Sequence, residues 1–380
     1  MPSTSRRRTK SESSISKDLA TGLPVRRLTN FLSHSHHLYF TNPGWWDGGK
    51  RLVFASDRGN STNLFSVELQ SGAITQVSDV PPGVEFVYAS VNPCKPECYF
   101  WLGRDLVALN LKTSKQRSLY HLPKNQTPNI TNVTADGQHV CTVQMESPRF
   151  KTDLLNGYVG FAEVHAAKPR CQIVEVAVNG SGSRVLFEEK YWIGHINTSP
   201  TQPHLLSFCH EGPWERVDNR IWCLDRRTGS VWKVRPTKKN EQVGHEYWLQ
   251  DGVTLGYHGH TRRGGKKHPF FGFIRYDNTE HEEAAFNTDS WHFFSNDKRL
   301  IVGDGVPNDP YLYLWQYRNG RFSKARILCK HRGSFHIQNL HPHPRFSPDG
   351  KYILFTADPD GYGNLYTIEV PPFGSLREKS

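Results

Sequence analysis

A chain of 380 residues, 36% hydrophobic and 12% aromatic, is long enough to bury a large core. Its 47 Lys and Arg against 36 Asp and Glu give a net charge of +11, which fits an anionic partner such as an acidic polysaccharide. No run approaches the ~18 apolar residues of a membrane span, and neither an RNA-binding signature nor zinc-finger spacing occurs, so membrane and nucleic acid are not expected partners.

Residues 1–20 are rich in Ser, Arg and Lys without an apolar stretch, and are expected to form a disordered basic tail rather than a signal peptide. Val25–Asn30 then precedes the first regular unit. That unit starts near residue 37: Trp46-Asp-Gly-Gly-Lys-Arg-Leu-Val-Phe-Ala-Ser-Asp57 is a turn, a strand and an Asp-containing turn, and Gly59–Val67 adds an Asn-Leu-Phe strand. A second unit starts near 82 and holds Cys94 and Cys98, a C-x₃-C with no second pair to complete a zinc site. A third starts near 129 and is interrupted by an insertion at Phe150–Tyr158. The fourth, from near 193, carries His195, His210 and Arg220-Ile-Trp-Cys-Leu224. The fifth, from near 243, carries His245 and is followed by the basic loop Arg262–Lys267. The sixth, from near 290, carries His292, Ser295–Asp304 and Tyr311–Trp315. The seventh, from near 336, carries Gln338, His341 and His343, then Pro348–Asp358 and Gly361–Ile368, a close copy of the first. Residues 373–380 form a C-terminal tail.

Repeats of roughly 40–50 residues, each with about four short strands, are the signature of propeller blades. The prediction is all-β: a seven-bladed β-propeller over residues 21–372, one catalytic domain, closed by an N-terminal strand at Val25–Asn30. The seven cysteines, an odd number lying mostly within apparent strands, suit reduced thiols in a cytoplasmic protein.

His195, His245, His292 and His341 recur at intervals of 47 to 50 residues, one per blade at the innermost strand. Equivalent positions there converge on the ring axis, and several buried imidazoles without partners would cost free energy. A metal or catalytic centre is therefore expected. Taken alone, a His-x-His pair is equally a surface or core feature. In an extended chain, however, residues i and i+2 share a face, so His341 and His343 are expected to aim at one point. Imidazoles with the Gln338 amide and no thiolate suit a divalent ion such as Mn²⁺ better than a closed zinc site.

Through His210-Glu-Gly-Pro-Trp214, Arg220-Ile-Trp222, Gly244-His-Glu-Tyr-Trp248 and Gln338-x-x-His341-x-His343, the chain resembles the oligogalacturonate lyases, a seven-bladed, pectate-degrading family. The resemblance is strongest over 194–259 and 290–365 and weaker over 80–180, and the Arg262–Lys267 loop and basic tail look like local additions. It implies Mn²⁺ on His292, Gln338, His341 and His343, a general base at His245 and a substrate-side arginine at Arg220. The implied reaction is β-elimination of short oligogalacturonides such as digalacturonate, giving an unsaturated uronate in intracellular pectin breakdown. Arg220 can pair its planar fork with a uronate carboxylate or make an ordinary blade-edge salt bridge. His195 and His210 are candidate substrate contacts, and His210 can equally shape its turn. One rival reading is a non-catalytic propeller scaffold for protein or peptide partners, which has no use for Gln338, His341 and His343 together. Another, a propeller attached to a serine hydrolase, is excluded because no G-x-S-x-G occurs.

Overall fold

The computed structural model describes residues 8–286 and 288–379. Their strands form seven antiparallel sheets, the blades of a seven-bladed β-propeller. The strand of each sheet next to the axis is Ser35–His36, Ser90–Val91, Gln126–Val133, Ile193–Thr198, Glu241–Trp248, Phe293–Phe294 and Arg345–Phe346 in turn.

The strand sequences show why the blades stack. Arg51–Ser56 in the first blade reads Arg-Leu-Val-Phe-Ala-Ser, and its four central residues are fully buried. Leu52 and Phe54 pack against Leu354 and Leu365 of the seventh blade. Val53 and Ala55 point the other way, into a cluster with Phe86 and Phe100 of the second. A blade covered on both faces needs a continuous apolar run, and the period-two alternation then sorts residues between its two neighbours.

Ring closure comes from the N-terminal side, where Pro24–Arg27 pairs with Asn364–Glu369 of the last blade, Val25 opposite Ile368. The expected disordered tail requires correction over its described part. Ser14–Lys17 adds a further strand outside Pro24–Arg27, and Arg8–Thr9 pairs with Ile74–Gln76 of the first blade. Glu12, bonded to Arg58 at 2.6 Å, anchors the segment. Residues 1–7 lie outside the described residues. The C-terminal segment also docks on the protein: Leu376 is buried, and Ile327 donates its amide to the Arg377 carbonyl.

The third blade carries the insertion between His139–Glu146 and Arg170–Ala177, ending in the helix Phe161–Ala167. Its Leu155 carbonyl accepts the Gln338 amide at 3.0 Å, which ties the insertion to the histidine segment of the seventh blade.

Candidate metal centre and catalytic cavity

A cavity of about 1310 Å³ opens on the axis, with Tyr39, His195, Arg220, His245, His292 and Gln338 on its wall. The inner strands of blades four and five aim their histidines by the same device. Each has a register break after a glycine, between Gly194 and Asn197 and between Gly244 and Tyr247. Within these bulges His195 (φ 46°) and His245 (φ 50°) adopt left-handed backbone. Such strain in a non-glycine residue persists only where the surrounding structure imposes it, and bulges next to active sites re-aim side chains. Gly244 is required for a second reason: a Cβ there would run into the Trp214 indole, which also lies edge-on to His245 at 5.5 Å.

His292, His341 and His343 each offer a nitrogen, and the three atoms lie within 4.8 Å of one another. The ring centroids of His292 stand 5.4 Å from His341 and 4.3 Å from His343. His341 and His343 lie close together, but not through the alternation of a strand. His341 caps the 3₁₀ turn Gln338–Leu340, and the next strand starts only at Arg345. His343 is left-handed (φ 43°), so a turn between Pro342 and Pro344 brings the rings together rather than the alternation of a strand.

The donor set fits a divalent ion. His292 Nδ1 meets Asp304 Oδ2 at 2.6 Å, which leaves Nε2 as its free nitrogen. Burial, with His292 alongside, pushes His341 down to about 3 and holds His343 well below the usual histidine range. Both are therefore neutral, with lone pairs to give. His341 Nδ1 is buried without any hydrogen-bond partner. The Gln338 amide nitrogen lies 3.2 Å from His343 Nε2, and the Gln338 oxygen takes the Tyr158 hydroxyl at 3.4 Å. All four candidate ligands thus come together.

His245 stands beside this cluster, 4.9 Å from His292 and 6.5 Å from His195 between centroids. Its Nδ1 is 2.9 Å from Nε2 of His258, a residue on Thr254–Arg263 that spacing by blade does not reveal. Burial first, then the neighbouring His292 and His258, holds His245 well below the ordinary histidine value, so it is neutral.

Arg220 reaches the cavity wall, yet it is buried and engaged. Its Nη1 donates to Glu211 at 2.8 Å, its Nε to Glu246 at 3.1 Å, and its Nη2 meets His195 Nδ1 at 3.1 Å. Burial alone would raise Glu246, but Arg220 and His195 outweigh it and hold the carboxylate at about 2. His195 in turn has Tyr39 Oη at 3.4 Å and Glu211 at 3.5 Å. Arg220 therefore makes buried ion pairs while also lining the cavity. Glu246 stands inside the Gly244–Trp248 motif, and only the fold brings it to Arg220.

His210 does not belong to the cavity lining. It is buried between Asp218 (2.6 Å) and Glu189 (3.3 Å) and stacks on Tyr191 at 3.9 Å. The carboxylates outweigh the effect of burial and raise its pKa. Its role is to fasten the strand end Leu205–His210 to the loop before Arg220.

A sequence profile described as oligogalacturonate lyase matches residues 9–373. The oligogalacturonide lyase of Pectobacterium atrosepticum and the oligogalacturonate lyase of Dickeya dadantii are each 26% identical to the chain, covering 93% of it and 95% of the relative. A solved oligogalacturonate lyase in complex with manganese superposes with a TM-score of 0.87 at 26% identity, covering 96% of this chain and 98% of that one. An oligogalacturonate lyase from Vibrio parahaemolyticus, 24% identical with a TM-score of 0.87, covers 97% and 99% and has the same fold.

Proposed function

The chain belongs to the oligogalacturonate lyase family, and on that premise we propose that it cleaves short oligogalacturonides such as digalacturonate by metal-assisted β-elimination. The observation that carries the reading is the meeting of three imidazoles, His292, His341 and His343, beside a fourth, His245, in one cavity. His292, Gln338, His341 and His343 would hold the ion, which by analogy with the related manganese complex is Mn²⁺. Bound there, a divalent ion supplies Lewis acidity to a uronate carboxylate, whose negative charge otherwise keeps the neighbouring C5 proton barely acidic.

His245 takes the C5 proton on its free Nε2. Its Nδ1–H donates to His258 Nε2, an assignment of tautomer that leaves the lone pair on Nε2. As the C5–H bond gives its electrons to a C4–C5 double bond, the C4–O bond breaks, and the departing oxygen takes a proton from water. Arg220, fixed by Glu211 and Glu246, presents its remaining N–H groups to a uronate carboxylate, and His195 sits between that arginine and Tyr39. The whole ring, residues 21–372, acts as the catalytic unit. A cytoplasmic location belongs to the same reading, supported by seven free cysteines, six of them buried.

The test is direct. Protein reconstituted with Mn²⁺ and given digalacturonate should generate the ultraviolet absorbance of a conjugated unsaturated uronate. No absorbance with any divalent ion would overturn the proposal.

A further inference from the structure

The fifth blade carries a hairpin with a basic tip. Thr254–Arg263 and Lys266–Arg275 are ten-residue strands, paired without a break from Thr254 opposite Arg275 to Arg263 opposite Lys266. Alternation puts His258, His260 and Arg262 on one face, shared by their cross-strand neighbours Phe271, Pro269 and Lys267. That face belongs to the cavity, since His258, His260, Lys267 and Pro269 all line it. A ladder thus runs from His258, the partner of His245, out to Arg262 and Lys267. Four residues of strand carry it about 13 Å, further than one sugar ring.

Two independent observations mark this ladder as a binding surface. The tip sets Arg262 against Lys267 and Arg263 against Lys266, and like charges directly opposite in a sheet are destabilising. The ion pairs of this blade lie at Arg235, Arg275, His281 and Glu282 instead, and among the described residues none reaches the tip. Four cations held together without a counter-charge favour an anion. Between them and the histidine cluster, His260 is 9% exposed and its buried Nε2 has no hydrogen-bond partner. A buried polar atom left unpaired is costly, and a ligand in the cavity would relieve it. Asp289 shares the cavity wall without an ion pair to the tip.

We propose that this ladder is a distal uronate subsite: Lys267 and Arg262 hold carboxylates of sugar residues beyond the reacting pair, and His260 bonds the same chain. Galacturonides of three or more residues are therefore held more tightly here than the dimer. The inference rests on the lyase reading and adds a length preference to it. The lysine supplies a compact charge and the arginine a planar fork, so the two can grip successive carboxylates along a flexible chain.

The experiment compares wild type with the Arg262→Gln/Lys267→Gln double variant. kcat/KM is measured for digalacturonate and tetragalacturonate at low and high salt, and binding to immobilised tetragalacturonate is read directly. The expected result is a fall in the tetramer-to-dimer preference of about 3- to 10-fold, the combined size of two exposed charge contacts. The salt dependence of the tetramer reaction should flatten with it. Equal loss on both substrates, or no change on either, would overturn the subsite. If wild type eliminates neither substrate but the double variant loses tetramer binding, the lyase reading fails and the subsite stands.

Discussion

His292 and Asp304 face each other across the first hairpin of the sixth blade, Nδ1 and Oδ2 2.6 Å apart. The register that pairs Phe293 with Gly303 puts them opposite one another. Asp304 is fully buried and also accepts the Trp291 and His292 amides and the Ser290 hydroxyl, so every bond of its carboxylate fixes the start of that inner strand. A carboxylate in this position settles the tautomer and orientation of the imidazole.

Asp304→Asn keeps the shape and removes the charge. Metal affinity, measured by titration calorimetry, should fall by about 10- to 100-fold, while circular dichroism shows a folded propeller. His341→Ala should lose the metal and activity together. Unchanged affinity in the first variant, or full metal occupancy in the second, would remove these residues from the metal site.

Arg220→Lys probes the other pole of the cavity. A lysine cannot serve Glu211, Glu246 and His195 at once, so a buried carboxylate loses a donor, at a cost of about 1–3 kcal/mol in urea unfolding. Turnover should drop further than stability explains, with kcat reduced under conditions where the variant is fully folded. Wild-type kcat in the folded variant would leave Arg220 a structural ion pair.

His210 gives the fold a pH dependence separate from catalysis. Asp218 and Glu189 raise its folded pKa, so the native state binds a proton that the unfolded chain releases near pH 6.5. The stabilisation is complete below the unfolded pKa and is lost as pH rises through the higher folded value. Wild type should lose stability between about pH 6.5 and that higher value, and His210→Gln should flatten the slope. An identical slope in the two proteins would show that the ion pairs contribute nothing.

The blades were legible because strands buried on both faces must be apolar and the turns between them repeat. Unit starts near 37, 129, 193, 243 and 290 fall close to inner strands beginning at Ser35, Gln126, Ile193, Glu241 and Phe293. The second and seventh starts, near 82 and 336, fall in the loops ahead of the inner strands Ser90–Val91 and Arg345–Phe346. His292, His341, His343 and Gln338 could be grouped from blade spacing and motif together. Asp304 and His258 could not, since each is defined by a cross-strand partner that only the register supplies. The partners of His210 are equally hidden in the sequence, since its carboxylates come from a loop and a neighbouring blade.

His245 is where the chemistry is tested most sharply. It lies against His292 of the three-histidine cluster, yet its Nδ1 is held by His258, so loss of its ring should leave the proposed metal ligands in place. His245→Ala should keep its metal while kcat falls by about 10²- to 10⁴-fold, the usual contribution of a positioned base. The acid limb of the pH–rate profile reports protonation of that base and should vanish with it. His258→Ala retains the base but frees its tautomer, so a smaller loss with the acid limb still present is expected. If His245→Ala loses its metal, the residue is a ligand. If it keeps wild-type turnover with the limb intact, proton abstraction belongs to another group.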